Sequence, residues 1–206
     1  MELRKLSVEA FIDETGSSSP APGGGSIAAL NASSSAALIE MVAQLTIGKE
    51  KYAAVQEDMK DVAEKAHALK ARFLELIDED SNAFNKIMAA FKLPKDTDEA
   101  KKARSAAIQE ATKGAALVPF TVGETAYGLL DLAAIVIEKG NANAITDGAV
   151  AAMNARAAVR GAFLNVKINL GSIKDQAFAE DLRQKMAAIE KDVDAREQAL
   201  LNKVQL

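Results

Sequence analysis

The chain has 206 residues, a net charge of −4 and no cysteine, which fits one domain over 1–206 with a sizeable core and excludes disulfides, thiolate metal sites and cysteine nucleophiles. A single histidine, His67, excludes any site built on two or more histidines, and the acidic balance argues against a nucleic-acid partner. Alanine fills about a fifth of the chain, aromatics are 4% and tryptophan is absent, a composition that favours an all-α, multi-helix bundle with close helix contacts over a sheet.

Residues 1–16 carry Glu2, Glu9, Asp13 and Glu14 and no apolar run of signal length, so a cytoplasmic protein is expected. The spacing predicts a first helix over 7–15, with Ser7 as N-cap and Val8, Phe11 and Ile12 on one face. Pro20, Pro22 and three consecutive glycines break it. A second helix is expected over 26–47, stopped by Gly48. Its one charge is Glu40, yet Asn31, Ser33, Ser34, Ser35, Gln44 and Thr46 make it too polar to span a membrane; it reads as a helix buried in a bundle or a dimer interface. A long third helix is expected over 52–91, ended by Pro94. Asp96 or Thr97 caps the fourth, Gly114 loosens its end, and Pro119 bends the path or restarts it as a further helix over 119–138. Residues 140–148 read as a loop, followed by a helix over 148–170 and a charge-rich last helix from about Lys174.

Four segments have the residue types for chemistry. Pro22-Gly23-Gly24-Gly25-Ser26 opens a helix, and its N–H groups suit an anionic group; the plainer reading is close packing under a tight turn. It is not a P-loop, because Gly48-Lys49 has the wrong spacing. Asp78, Glu79 and Asp80 are consecutive on a helix and cannot all face one way. Asp80 shares a face with Phe84, a core candidate, so it points inward or into a cleft unless the whole run is a solvated acidic face. After Asp147, Val150, Met153, Ala157, Leu164 and Ile168 mark a core stripe. Beside it run Asn154, Ala158, Gly161, Asn165 and Asn169, whose amides suit a ligand rich in donors and acceptors, such as a pterin, or glue helices together. Arg156, Arg160 and Lys167 form a basic stripe facing a ligand or water. Lys49, Lys51 and Tyr52 follow the glycine stop, where the lysines hold a carboxylate or favour the helix C-terminus. His67, alone on its helix, reads as a surface or packing residue.

In order along the chain stand Phe11-Ile12-Asp13, Pro20-Ala21-Pro22-Gly23-Gly24-Gly25-Ser26, Leu45-Thr46-Ile47-Gly48-Lys49 with Lys51-Tyr52, and Asp78-Glu79-Asp80 with Ala83-Phe84. Then come Leu93-Pro94-Lys95-Asp96-Thr97, Ile108-Gln109-Glu110, Gly140-Asn141, Thr146-Asp147, and Phe163-Leu164-Asn165-Val166 with Ile168-Asn169. This series resembles the cyclodeaminase/cyclohydrolase family of folate one-carbon enzymes, which includes methenyltetrahydrofolate cyclohydrolases and the C-terminal domain of formiminotransferase-cyclodeaminase. Ala21 and Thr146 stand where the family commonly has threonine and serine.

The resemblance implies an all-helical homodimer acting on a tetrahydrofolate derivative, with no metal, no cofactor beyond that substrate, and neither nucleic acid nor membrane as partner. It implies a cyclohydrolase that adds water to 5,10-methenyltetrahydrofolate to give 10-formyltetrahydrofolate. The alternative is a cyclodeaminase that closes 5-formiminotetrahydrofolate to the methenyl compound and releases ammonia. The first is expected because no formiminotransferase domain accompanies the chain. A second alternative is a catalytically inactive helical scaffold or folate-binding module. Asp80 and Asp147 are the expected base and cation partner, although Asp147 also fits a helix cap. Asn165 is expected to orient water or the pterin, and Lys49, Lys51 and Arg156 to meet the glutamate tail. Gly23, Gly24, Gly25, Ser26, Tyr52, Asn143 and Asn169 complete the expected binding set.

Overall fold

A computed structural model describes residues 2–205. Among them the elements are helical: α1 (Val8–Thr15), α2 (Gly24–Gln44), α3 (Gln56–Phe91), α4 (Asp98–Lys139), α5 (Ile145–Leu170) and α6 (Gln176–Leu201), with short 3₁₀ turns at Leu3–Lys5, Glu50–Val55 and Ala142–Ala144. Side chains close several helix starts. Ser7 accepts from the Ala10 N–H, Thr97 from Ala100 and Asp175 from Phe178, each satisfying an N–H that has no partner within its helix.

Helices α2 to α5 pack on one another, and α6 lies against α4 and α5. Large buried side chains such as Phe73, Leu76, Leu129, Leu130 and Phe163 fill the middle. Alanines bring the helices close: Ala28, Ala32 and Ala36 on α2, and Ala151, Ala155, Ala158 and Ala162 on α5, are all buried. α2 runs antiparallel to α5. Gly24 lies by Asn165, Ala28 by Gly161, and the Ser35 hydroxyl donates to the Ala151 carbonyl at 2.7 Å. By length and composition alone α2 and α4 could cross a membrane, yet 56% of the apolar window of each is buried inside this fold.

The boundaries depart from the sequence expectation at five places. α2 already begins at Gly24, so two of the glycines form its first turn. It ends at Gln44, and the chain reverses through Gly48, whose φ of 77° favours glycine. Tyr52 lies in a 3₁₀ stretch before α3. Pro119 neither ends nor restarts a helix: α4 runs through it. The expected loop at 140–148 shrinks, because α5 begins at Ile145 and takes Thr146 and Asp147 into its first turn.

The stripes of α5 are also inverted. Val150 and Met153 are each 45% exposed, Leu164 66% and Ile168 75%, so the expected core stripe faces outward. The packed face is the alanine-rich one, with Val159, Phe163 and Val166. Small side chains there let α5 approach α2 and α4 closely, which a Met- and Leu-bearing face would prevent.

Candidate active site

The start of α2, the C-terminal third of α3, the middle of α4 and the end of α5 surround a cavity of about 340 Å³. Gly23, Gly24, Gly25, Asp80, Asn165 and Asn169, all among the residues singled out in the sequence, line it. Phe84, Ile87 and Ile168 form an apolar wall.

Asp80 is held by the first turn of α2. The N-cap of that helix, Gly23, has no side chain to satisfy the free N–H groups. Asp80 reaches across from α3 to this first turn, accepting from the Ser26 hydroxyl at 2.9 Å. Ser26 lies 3.2 Å from the Ser81 hydroxyl, so the hydroxyl proton given to Asp80 leaves the Ser26 oxygen free to accept from Ser81. Gly25 makes this contact possible, because a Cβ there would stand 2.2 Å from Asp80 Oδ1. Burial pushes the Asp80 carboxyl above its ordinary range, and hydrogen bonding from Ser26 pulls in the opposite direction. Among the described residues lining the cavity, Asp80 alone is ionisable, and no cation pairs with it.

The neighbouring acids turn elsewhere. Asp78 accepts from the Leu3 N–H at 2.6 Å and lies 3.4 Å from Arg4, and Glu79 pairs with Arg72. The inward-facing member of the acidic run is therefore Asp80.

On α5 the two amides are fixed by their nitrogens. Asn165 donates to the Gly161 carbonyl at 2.9 Å. Asn169 donates to the Ala115 carbonyl at 3.0 Å and to the Asn165 carbonyl at 2.9 Å. Asn169 has both donors engaged and Asn165 one of its two, and both amide oxygens remain as acceptors for whatever fills the cavity. The site is thus an acceptor-rich, anionic floor beside an apolar wall, suited to a flat cationic ligand that carries N–H groups.

The other predicted residues lie apart. Lys49, Lys51, Tyr52, Asn143 and Asp147 gather beyond the C-terminal end of α2, whose 21 residues span about 30 Å. There the Tyr52 hydroxyl accepts from the Ala142 N–H at 3.0 Å, and Asn141 joins Thr46, Leu45 and Asn143. Lys51 stands over the Tyr52 ring at 5.5 Å. Asp147 sits half-buried in the first turn of α5, where the helix dipole favours its charge; the N-cap itself is Ala144.

Arg156 does not face the cavity. It bonds Glu197 at 3.0 Å and lies 3.4 Å from Asp194, while Arg160 pairs with Asp194 and Lys167 with Glu190. The basic stripe is a seam between α5 and α6, because the acids of α6 neutralise it. His67 is exposed beside Glu40, at 2.9 Å. Ser81, Phe84, Ile87 and Ala115 were missed as site residues. The 80, 84, 87 spacing on one helix face was the available signal for two of them. Among the described residues, no group of three or more His, Asp or Glu side chains could hold a metal ion.

Fold and cavity together define an all-α protein with a ligand cleft centred on a carboxylate. The family model described as Formiminotransferase-cyclodeaminase matches residues 7–188, and the chain belongs to that family. It is 47% identical over 174 residues to a methenyltetrahydrofolate cyclohydrolase from Methylorubrum extorquens, covering 84% of each chain. It is 36% identical to the formimidoyltransferase-cyclodeaminase of Rattus norvegicus, covering 91% of this chain but only 35% of that one. The crystal structure of a formiminotetrahydrofolate cyclodeaminase from Thermotoga maritima superposes with a TM-score of 0.88 at 28% identity, covering 98% of both chains.

Proposed function

We propose that the protein is a methenyltetrahydrofolate cyclohydrolase, converting 5,10-methenyltetrahydrofolate and water to 10-formyltetrahydrofolate. The observation that carries this reading is Asp80: a partly buried carboxylate, without a cationic partner, at the floor of a cavity whose amides present acceptors. The M. extorquens relative of that name supports the choice of substrate. The methenyl carbon sits between two nitrogens that share a positive charge, and the Asp80 carboxylate stabilises that cation. As water attacks the carbon, Asp80 accepts its proton as general base. The tetrahedral intermediate then opens by breaking the bond from carbon to N5, and N5 takes a proton. One proton is released overall. The apolar wall of Phe84, Ile87 and Ile168 packs against the flat pterin. No cofactor beyond the tetrahydrofolate is called for.

The active form is proposed to be a cytoplasmic homodimer. Leu164 and Ile168 on α5, with Val150 and Met153, continue into Met41 and Leu45 on α2 as an exposed apolar face. Single soluble chains seldom leave such a face open. Two copies paired across it about a two-fold axis perpendicular to α2 would set α2 antiparallel to its counterpart. The Lys49, Lys51, Tyr52 and Asp147 end of one copy then approaches the Asp80 end of the other, and the lysines meet the anionic glutamate tail.

The second reading is the cyclodeaminase, favoured by the T. maritima structure that carries that activity in its description. Incubating the protein separately with each substrate decides between them. Loss of the methenyl chromophore is expected. Ammonia release with gain of the chromophore would establish the second reading, and binding without turnover would make the protein a folate-binding module.

A further inference from the structure

Pro119 lies buried within α4, where a proline has no N–H to give to the carbonyl four residues back. That carbonyl belongs to Ala115, which lines the cavity. Its hydrogen bond comes instead from another helix: Asn169 Nδ2 donates to it at 3.0 Å. The same nitrogen donates to the Asn165 carbonyl at 2.9 Å, which fixes the amide with its oxygen left over. A proline is thus kept inside a 42-residue helix at the position that would otherwise hydrogen-bond the α4 carbonyl that a cavity amide of α5 uses.

We propose that Pro119 is a positioning residue: by freeing the Ala115 carbonyl it clamps Asn169, and so aims the Asn169 oxygen at an N–H of the bound pterin. This deepens the cyclohydrolase reading and rests on it for the ligand. By intrinsic propensity an alanine at 119 would suit the helix better. It would also restore an N–H directed along α4 at the Ala115 carbonyl, straighten the helix there and draw that oxygen away from Asn169.

The test compares wild type with Pro119→Ala, Asn169→Ala and the double variant. Pro119→Ala is expected to melt at the same or a higher temperature, yet to raise KM for methenyltetrahydrofolate about fivefold, the size of one lost ligand hydrogen bond, with kcat within about twofold. Asn169→Ala should raise KM similarly, and adding Pro119→Ala to it should change KM no further. A purely structural proline would lower the melting temperature or leave KM alone. The side-chain amide NMR signal of Asn169 reads the clamp without any substrate and should move in Pro119→Ala. An unmoved signal, an unchanged KM, or additive KM effects would overturn the inference. If wild type turned over neither folate, the cyclohydrolase reading would fail, while the amide signal would still decide the clamp.

Discussion

Asp80 gathers the energetics of the site in one side chain. Its carboxylate is tied to the first turn of α2 through the Ser26 hydroxyl, at a position where burial disfavours its charge. Its folded pKa therefore lies above its unfolded one. The stability it contributes is complete below the unfolded pKa and is lost as pH rises through the folded pKa. Asp80→Asn keeps an oxygen for the Ser26 hydroxyl and never ionises, so it escapes that loss. Thermal unfolding of both proteins from below the ordinary aspartate pKa up to neutral pH should show the variant gaining in melting temperature over wild type as pH rises. A difference that does not change with pH would contradict the burial argument. The inward turn of Asp80 was legible in its spacing from Phe84. Its attachment to Ser26, 54 residues earlier in the chain, was not, because periodicity says which face a residue occupies and nothing about the helix opposite.

At the scale of elements, the helices were legible wherever cap and breaker agreed. Ser7 begins α1, Thr97 begins α4 and Gly171 follows α5, as their chemistry implies. Pro119 misled because the cost of a proline is set by what becomes of one carbonyl, and here α5 supplies its partner. α5 misled for a different reason. An alanine-rich helix has two faces with equal claim to be apolar, and the periodicity of Val150, Met153, Leu164 and Ile168 is as regular as that of the alanines. Close packing chose the small face, and the large side chains were left outside. Arg156 was misread for want of α6, whose Asp194 and Glu197 meet it across the bundle.

At the scale of the molecule, the predicted site residues other than Arg156 fall into two groups at opposite ends of α2, and the outward face of α2 and α5 runs between them. The proposed two-fold pairing accounts for both facts. Leu164→Lys, at a position 66% exposed in the single chain, should leave the helix content unchanged, convert a dimer into a monomer in sedimentation at micromolar concentration, and remove most turnover. A wild-type protein that sediments as a fully active monomer would contradict the pairing. The most direct measurement is the turnover of methenyltetrahydrofolate by Asp80→Asn, with Asp147→Asn alongside. With Asp80 as the base, Asp80→Asn loses about 100-fold or more in kcat, the usual cost of removing a positioned acid–base group, and remains a folded dimer that binds the folate. Normal turnover by Asp80→Asn beside an inactive Asp147→Asn would put the catalytic carboxylate at the other end of α2.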